Sequence, residues 1–541
     1  MMKIRQLLLF VFLLATGAGN VIGQKTYKNP VITGMNPDPS ICRVGDDFYL
    51  ATSTFEYFPG IPIYHSKDLV HWDLIGHALD NKTNCPLMGA GASGGNYAPT
   101  LRYNNGTFYI ACTNYGGEGT QGVFYVTASN PAGPWSDPVW IGNWYVDPSI
   151  TFANDSMYWV SPGNDGSFMV GTFDPVQKKF IKPLQVVATG QGGSSPEGPH
   201  MYKIGEYYYL MSAEGGTGYE HREVIQRSKS PYGPFESSPY NPVISNMNNP
   251  ESPFQAIGHA DLVQLQDGSW WLVCLGIRPK GGRYQHLGRE TYLAPVKWTD
   301  DGWPIGGDNG VMLEEFPVPN LPEHQWEKGP VRDDFSSPTL GLPWNFLRNP
   351  YEADWSLTEK PGYLRLNGSK VNLKEKDSPA FVGRRQPDFN MVASAKVSFN
   401  PVAGNEEAGL VVRGNDTNYL SLAITIRDGK RVALFRKYLQ DEVSLEEYTE
   451  IPRNDVVLKI SASELKYKFW VQPKGKTPIL VGTAATKDIS TEKISGFTGV
   501  FIGMYATGNG SSNTNPADFD WFDYEANPED VHFLRDRQLV E

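Results

Sequence analysis

The stretch Asp38-Pro-Ser-Ile-Cys-Arg-Val-Gly-Asp-Asp-Phe-Tyr-Leu50 sets a pattern that returns along the first part of the chain. A polar or small head residue leads to an apolar one, a turn rich in Gly, Asn or Asp follows, and an aromatic strand closes the unit. Turn chemistry and β-propensity of this kind predict a β-hairpin. The other copies are residues 98–110, 147–159, 197–209 and 259–271.

The spacing of this repeat predicts the fold of residues 24–322. Successive heads are roughly 50 to 60 residues apart, which is enough for one four-stranded sheet, the size of a propeller blade. Five copies therefore predict a five-bladed β-propeller. A barrel of alternating strands and helices would need about eight helical crossovers, and the pattern of this region contains no long amphipathic helix.

A second domain is predicted for residues 323–541. The repeat ends near Pro317-Val-Pro-Asn-Leu-Pro322, and a linker-like stretch follows. Beyond it, at least seven segments alternate apolar and polar residues with the period of a strand, which predicts a jelly-roll-like β-sandwich. The whole chain is thus expected to be all-β. These segments are residues 391–399, 408–413, 419–426, 431–435, 455–460, 465–471 and 499–504.

Charge and composition narrow the class of partner. The formal net charge is −12, and no run of five basic residues occurs. Binding to nucleic acid is therefore disfavoured, because nothing would release counterions from phosphates. Aromatic residues make up 13% of the chain, and their faces match the C–H faces of sugar rings. An oligosaccharide or polysaccharide partner suits both observations, while the sequence gives no indication of the oligomeric state.

Residues 1–23 have the pattern of a secretory signal peptide. Lys3 and Arg5 precede an apolar run at residues 7–15, and small residues then lead to a cleavage site before Gln24. The run is too short to span a bilayer, although an uncleaved anchor is the alternative. No transmembrane segment is expected elsewhere. The pattern predicts export across the inner membrane, to the periplasm or the extracellular space.

The four cysteines show neither metal-ligand spacing nor the density of a disulfide scaffold. We expect them mostly to be small buried apolar groups, and one disulfide is left open. They are Cys42, Cys85, Cys112 and Cys274.

The heads of the repeats are candidate functional residues. In a propeller the innermost strands of all blades face one channel, so that equivalent repeat positions meet there. Charged groups gathered in this way cost stability through repulsion and desolvation, which disfavours a packing role. An Asp-Pro dipeptide is also a common turn former, but turn chemistry does not call for a Glu. The heads are Asp38, the Tyr97-Ala98 pair, Asp147, Glu197 and His259.

Three carboxylates at one mouth suit glycoside hydrolysis. One group must be protonated to assist the leaving oxygen, and another must be ionised to activate water. A third carboxylate near the acid would raise the pKa of that acid and keep it protonated near neutral pH. A gap of about 6.5–9.5 Å between acid and base leaves room for the water and gives inversion, whereas about 5 Å gives a covalent intermediate.

Motifs along nearly the whole mature chain resemble those of glycoside hydrolase family 43, the β-xylosidase and α-L-arabinofuranosidase group with a C-terminal β-sandwich. Their order and spacing make the resemblance specific. The motifs are Asn36-Pro-Asp-Pro-Ser-Ile41, Thr54-Phe-Glu-Tyr-Phe-Pro-Gly60, His65-Ser-Lys-Asp-Leu-Val-His-Trp72, Val146-Asp-Pro-Ser-Ile150, Ser195-Pro-Glu-Gly-Pro199, Gly258-His-Ala-Asp261 and Leu287-Gly-Arg-Glu-Thr291.

The resemblance implies a role for each candidate residue. Asp38 would be the general base and Glu197 the general acid of an inverting mechanism. Asp147 would tune the pKa of the acid and orient it. Phe55 would form an aromatic wall of the sugar pocket, and Arg289 would donate to a sugar hydroxyl.

Two further positions carry expectations about the pocket. His259 matches a channel histidine that in some family members helps to hold a metal ion or a water cluster, and a hydrogen-bonded strand histidine is the alternative. We expect no required cofactor and no catalytic metal, with a structural Ca²⁺ or a water cluster near His259 left open. Tyr97 stands where many relatives have Trp, and we expect it to contact substrate. Because the sandwich helps to close the site in the family, residues 499–505 are expected near the pocket.

The sequence therefore predicts an exo-acting, inverting α-L-arabinofuranosidase that acts on non-reducing ends of plant hemicellulose, such as xyloglucan or arabinoxylan. A β-D-xylosidase or a bifunctional enzyme is the close alternative, and the preference between them rests mainly on Tyr97. Alternatives of another class are a non-catalytic glycan-binding protein and a surface-attachment protein with an inactive enzyme domain.

Overall fold

A computed structural model describes residues 25–142, 146–511 and 515–526 of the chain. The predicted signal peptide, residues 1–23, lies outside the described residues. Within the described ranges no helix has the length and apolar character needed to cross a membrane. The helices of these ranges are one short α-helix, Thr491–Ile494, and two 3-10 helices, Glu352–Asp354 and Thr486–Ile489.

The five sequence repeats form five antiparallel sheets, which confirms the predicted propeller. In each blade the repeat supplies the innermost strand, the hairpin turn and the second strand. Blade 1 consists of Ser40–Val44, Asp47–Ala51, Gly60–Ser66 and Asp73–Leu79, and blade 2 of Thr100–Asn104, Thr107–Tyr115, Gly122–Ala128 and Val139–Gly142, with Gly95–Asn96 added. Blade 3 consists of Ser149–Ala153, Ser156–Pro162, Ser167–Asp174 and Lys179–Thr189, blade 4 of Glu197–Ile204, Tyr207–Glu214, Arg222–Ser228 and Glu236–Ser237, and blade 5 of Gln255–Gln264, Trp270–Ile277, Glu290–Trp298 and Pro304–Gly306.

Apolar side chains fill the spaces between neighbouring blades. Phe124 of blade 2 packs in one cluster with Ile63 of blade 1, and Trp159 of blade 3 packs in another with Tyr125 of blade 2. Each blade buries both of its faces in this way, so the sheets hold one another in a ring. Terminal strands reinforce the arrangement, because Thr26–Lys28 pairs with Glu315–Pro317.

A buried polar network joins all five blades at the channel. Asp261 of blade 5 accepts hydrogen bonds from Ser40 of blade 1 at 2.7 Å, from Arg102 of blade 2 at 2.7 and 3.1 Å, and from the hydroxyl of Tyr202 of blade 4 at 2.6 Å. Arg102 also lies 3.2 Å from Nδ1 of His200, which contacts a serine hydroxyl of blade 3. Burial opposes ionisation, but the Arg102 charge, the neighbouring His200 and the hydrogen bonds from Arg102 and Tyr202 together outweigh it and hold the pKa of Asp261 well below its usual range. The network thus fixes the innermost strands relative to one another.

The second domain is a β-sandwich, as predicted, with an apolar core between two sheets. One sheet contains Arg332–Asp333, Trp355–Ser356, Leu364–Leu366, Met391–Ser398, Val456–Ala462, Lys466–Pro473, Ile479–Ala485 and Ala517–Ala526. The other contains Ala380–Arg385, Glu407–Asn415, Asn418–Arg427, Lys430–Leu439, Glu442–Glu450 and Phe501–Thr507. The sequence had indicated seven of these strands.

The two domains also share a small sheet of their own. Tyr57–Phe58 of the propeller pairs with Phe346–Leu347, which precedes the main strands of the sandwich. The predicted boundary at residues 322 and 323 lies between the strand Glu315–Pro317 and the first sandwich strand, Arg332–Asp333.

The four cysteines are all buried free thiols, so the disulfide left open by the sequence is not formed.

Candidate active site

The backbone at the predicted heads adopts an uncommon conformation. Asp38 (φ 55°), Asp147 (φ 53°) and His259 (φ 51°) all lie in the left-handed region, which costs a non-glycine residue on the order of 1–3 kcal/mol. In blades 4 and 5 the pairing register also shifts, beside Glu197 and around His259. Bulges of this kind re-aim side chains. These backbone conformations thus lower the stability of the fold while they set the direction of the side chains.

The carboxyl group of Asp38 is held in place by three neighbours. Arg289 donates from an NH group to Asp38 Oδ1 at 2.9 Å, and the Ser53 hydroxyl donates to Oδ2 at 2.5 Å. Nδ1 of His259 lies 3.6 Å from Oδ1, and burial lowers the pKa of His259, which favours its neutral form. An ionised, oriented carboxylate is what a general base requires. Ser53 was not among the predicted residues, since a serine in a loop carries no distinguishing pattern.

Asp147 and Glu197 form an interacting pair beside Asp38. Burial, followed by the charges of Glu197 and Asp38, raises the pKa of Asp147 well above its usual value. Burial also raises the pKa of Glu197 to about 7, with Arg289 opposing the rise and Asp38 adding to it. Burial is therefore a larger cause than the neighbouring acids, which the sequence had emphasised. Because the sites interact, the proton belongs to the pair, and near neutral pH the pair has one to donate.

Gly198 allows the pair of Asp147 and Glu197 to lie close to the channel histidine, His259. Its N–H donates to Asp147 Oδ2 at 3.2 Å. Its φ is +55°, and a Cβ at this position would lie 2.6 Å from Nε2 of His259. Only glycine combines this backbone conformation with so close an approach.

Three aromatic rings pack together beside Arg289, and we call this cluster the aromatic wall. The Phe55 ring lies 5.3 Å from the Tyr97 ring and 5.8 Å from the ring of Phe497, measured between centroids. Tyr97 and Phe497 are 6.2 Å apart. Phe497 comes from the sandwich domain and lies just before residues 499–505, which the sequence had placed near the pocket. Sequence reasoning missed Phe497, because nothing local tells which residue of the other domain reaches across.

Arg289 joins the carboxylates to these rings. Its guanidinium carbon lies 5.7 Å from the Phe55 centroid and 5.6 Å from that of Phe497. Its Nε is buried, and among the described residues it has no hydrogen-bond acceptor. A buried donor without a partner is costly, so this N–H is suited to an acceptor on a bound ligand. The predicted donation to a sugar hydroxyl is consistent with this geometry.

The surroundings of His259 do not provide a donor set for Ca²⁺. Calcium prefers six to eight oxygen ligands. Of the carboxylates near His259, Asp38 and Asp261 are each bonded to an arginine, and Glu223 accepts a hydrogen bond from the N–H of Ala260 at 2.9 Å. The described part of the chain contains no group of three His, Cys, Asp or Glu residues that could hold a metal ion.

A polar cleft of about 550 Å³ adjoins Glu197. Tyr115 stands at this cleft with 58% of its surface exposed, and its ring is perpendicular to that of Tyr97 at 6.0 Å. The cleft is thus bordered by the predicted acid and by Tyr115, whose ring contacts that of Tyr97. Its lining consists of Thr113, Tyr115, Gln121, Gly122, Val146, Pro162, Gly163, Asn164, Ser195, Pro196 and Glu197.

All seven predicted site residues therefore belong to one connected cluster at one mouth of the propeller. Direct contacts or charge interactions link each of them to another member. The members are Asp38, Phe55, Tyr97, Asp147, Glu197, His259 and Arg289.

Two sequence families match the two domains. Residues 27–304 match the family described as glycosyl hydrolases family 43. Residues 332–525 match the family described as the β-xylosidase C-terminal concanavalin A-like domain.

Individual relatives match over nearly the full chain. The non-reducing end α-L-arabinofuranosidase BoGH43B of Bacteroides ovatus is 65% identical over 519 residues, which cover 95% of this chain and 98% of that protein. A xylosidase/arabinosidase of Butyrivibrio fibrisolvens is 35% identical, covering 92% of this chain and 99% of that one. The solved structure titled Bacteroides ovatus Xyloglucan PUL GH43B superposes with a TM-score of 0.92 at 66% identity, covering 93% of this chain and all of that chain.

Proposed function

The chain belongs to glycosyl hydrolase family 43 and is a glycosidase, and from this premise we propose that it is an exo-acting, inverting α-L-arabinofuranosidase. Its substrate would be non-reducing-end arabinofuranose on a plant hemicellulose such as xyloglucan or arabinoxylan. The family match agrees with the resemblance drawn from the sequence motifs.

One observation carries the mechanism: the two carboxyl groups that it needs have opposite environments. Asp38 accepts hydrogen bonds from the guanidinium of Arg289 and the hydroxyl of Ser53, which fix the orientation of its carboxyl group. Glu197 is buried, and its pKa is raised to about 7, which favours its protonated form. Pairs of carboxyl groups whose environments differ in this sense are the usual assignment of base and acid in glycosidases.

The reaction follows from these two states. Asp38 takes a proton from a water molecule as the water oxygen forms its bond to the anomeric carbon. Glu197 gives its proton to the glycosidic oxygen as the bond from that oxygen to the anomeric carbon breaks. Asp147 stays close to the acid and, through the N–H of Gly198, fixes the backbone that carries Glu197. Attack and departure on opposite faces invert the anomeric centre.

The closed aromatic wall supports exo-action. Phe497 of the sandwich lies against Phe55 of the propeller, so one side of the pocket is covered by the second domain. A covered pocket admits a terminal sugar rather than the middle of a chain. The cleft beside Glu197 leads away from this pocket and is suited to the polymer that remains after cleavage.

We propose arabinofuranose rather than xylose as the terminal sugar, because the relative with 65% identity is named for arabinofuranosidase activity. A β-D-xylosidase or bifunctional activity is the second candidate, because the Butyrivibrio relative is named a xylosidase/arabinosidase.

In this pocket the hydroxyl of Tyr97 donates to the backbone oxygen of Ser93 at 2.9 Å. Tyr97 therefore presents its ring, rather than a free hydroxyl, to a sugar.

The test compares two substrates on the same preparation. We expect kcat/KM for 4-nitrophenyl α-L-arabinofuranoside to exceed that for 4-nitrophenyl β-D-xylopyranoside. The reverse order would establish the xylosidase alternative. Failure to hydrolyse either compound would overturn the proposed function and favour a non-catalytic glycan-binding role.

Two further parts of the proposal concern location and cofactors. The basic start, apolar run and small residues of the N-terminal segment support export to the periplasm or beyond, which sequencing the N-terminus of the mature protein would test. The donor atoms around His259 support a water cluster there, and a reaction that needs no metal ion.

A further inference from the structure

Ser93 lies behind the aromatic wall and makes three hydrogen bonds, each to a different part of the molecule. Its N–H donates to Glu56 Oε2 at 3.0 Å. Its hydroxyl oxygen accepts from the backbone N–H of Phe497 at 2.8 Å, and its carbonyl oxygen accepts from the Tyr97 hydroxyl at 2.9 Å. One residue therefore holds two of the three rings of the pocket.

The fit around Ser93 is close. Its backbone is left-handed, with φ 62°. A Cβ added to Gly496, which precedes Phe497, would lie 2.6 Å from the Ser93 hydroxyl oxygen. Phe497 therefore cannot move independently of Ser93 without breaking this contact.

Glu56 connects Ser93 to the sandwich through a buried ion pair. Arg413 of the sandwich lies 3.3 Å from Glu56 Oε1 and donates to the Tyr57 hydroxyl at 2.7 Å. Both charged side chains are completely buried. Arg413 also bonds to Asp416, which in turn pairs with Arg348 at 3.0 Å.

The position of this ion pair indicates more than adhesion between domains. A buried ion pair is weak support for stability, because desolvation offsets most of the attraction. Glu56 directly follows Phe55, the third ring of the wall, whose N–H and carbonyl groups bond to Asn96 beside Tyr97. The pair thus lies where a small displacement would change the spacing of all three rings.

We propose that Glu56, Arg413 and Ser93 are positioning residues that set the preference of the pocket for one pentose over another. The position of the docked sandwich sets the positions of Arg413 and Glu56, and Glu56 in turn sets that of Ser93. Ser93 then fixes the positions of the Tyr97 and Phe497 rings. The inference rests on the proposed function, since it requires that the pocket binds a terminal pentose.

Ring spacing discriminates between the two candidate sugars by shape. α-L-Arabinofuranose has a five-membered ring and β-D-xylopyranose a six-membered ring, and both present hydroxyl groups to the same carboxylates. A wall held at one spacing fits one ring better than the other. Loosening the wall should therefore weaken the discrimination between the two sugars.

The experiment measures the ratio of kcat/KM for the arabinofuranoside and the xylopyranoside in Ser93→Ala and Glu56→Gln. A fraction of inactive protein lowers both kcat/KM values by the same factor and leaves their ratio unchanged. If Ser93 and Glu56 only stabilised the fold, the substitutions would therefore not change the ratio. The matched control is Glu407→Gln, which removes the charge of Glu407 from its largely buried pair with Arg436 within the sandwich, at 2.9 Å. Where Glu56→Gln does not fold, Tyr97→Phe removes only the hydroxyl that reaches Ser93.

We expect the ratio to fall about tenfold in Ser93→Ala and Glu56→Gln, the size of effect that a small misfit in a pocket produces, and to stay constant in Glu407→Gln. An unchanged ratio in both variants, or an equal change in the control, would overturn the proposal. A change in Ser93→Ala alone would overturn the part that concerns Glu56 and Arg413. A wild-type protein inactive on both sugars would instead show that the proposed function has failed, and the inference with it.

Discussion

Arg289 donates to Oδ1 of Asp38 at 2.9 Å although the two residues lie in different blades and are both buried. The same guanidinium opposes the rise in the pKa of Glu197. One cation therefore acts on both carboxyl groups of the proposed mechanism: it binds the carboxyl group of the base and restrains the pKa of the acid. Its loss should be visible in the pH dependence of the reaction.

The first prediction concerns the basic limb of the pH profile. Glu197 must be protonated to act as the acid, so kcat/KM should fall as the pH rises through about 7, the pKa of that group. In Arg289→Gln the opposing cation is removed, the pKa of Glu197 rises further, and the fall should move to higher pH. The measurement is kcat/KM against pH with an aryl arabinofuranoside. A basic limb at the same pH in both proteins would contradict the assigned interaction.

The second prediction tests Glu197 as the acid. Proton transfer by a positioned acid contributes typically about 10² to 10⁴ in rate. Glu197→Ala should therefore lose about 10³-fold on an arabinofuranosyl oligosaccharide, whose leaving group needs the proton. It should lose much less on a 2,4-dinitrophenyl arabinofuranoside, whose leaving group does not. Equal losses on the two substrates would remove Glu197 from this role.

The sequence was sufficient to predict the propeller because the same hairpin pattern occurs once in every blade. Asp38, Asp147 and Glu197 are far apart in the chain, yet each heads a copy of the same hairpin, and a ring of blades must bring equivalent positions together. The same reasoning could not find Phe497 or Arg413. Phe497 reaches the rings of the propeller and Arg413 reaches Glu56 only through the docking of the two domains, and no local pattern encodes that docking.

The sandwich shows where strand patterns fail. Glu442–Glu450 is a strand whose residues are almost all exposed, so it lacks the alternation that marks a half-buried strand. It lies at the edge of its sheet, where charged side chains are common because they discourage pairing with another chain. Glu447 and Glu450 are typical of such an edge and do not suggest a strand by themselves.

The third prediction concerns the polar cleft beside Glu197. Tyr115 offers an exposed ring there, on which a sugar of the leaving polymer can stack. Tyr115→Ala should raise KM for an arabinofuranosyl oligosaccharide by about two- to tenfold, given that stacking of aromatic rings contributes about 0.5–1.5 kcal/mol. Methyl α-L-arabinofuranoside, which has almost no leaving group to stack, serves as the control substrate. A similar change in KM for both substrates would show that the cleft does not bind the polymer.

The fourth prediction concerns metal removal. Asp38 and Asp261, which lie near His259, each pair with an arginine, and the described residues contain no group of three His, Cys, Asp or Glu side chains that could hold a metal ion. We therefore expect chelation to remove nothing that the reaction uses. Incubation with EDTA followed by gel filtration should leave kcat/KM and the melting temperature unchanged. A loss of activity restored by Ca²⁺ but not by Mg²⁺ would contradict this and establish a calcium site.

The last prediction separates close packing from backbone strain at Gly198. Gly198 and Gly205 have nearly the same left-handed φ, +55° and +56°, but a Cβ at Gly198 would lie 2.6 Å from His259 whereas a Cβ at Gly205 would meet nothing within 4 Å. Gly205→Ala should therefore cost only the backbone penalty, about 1 kcal/mol of unfolding free energy, and keep full activity. Gly198→Ala should cost about 2–5 kcal/mol, the backbone penalty plus the overlap, and should lower kcat because Glu197 and the N–H that binds Asp147 would shift. Urea unfolding and kcat measured on the same preparations test both expectations. Equal effects of the two substitutions would mean that the contact between Gly198 and His259 does not hold the acid in place.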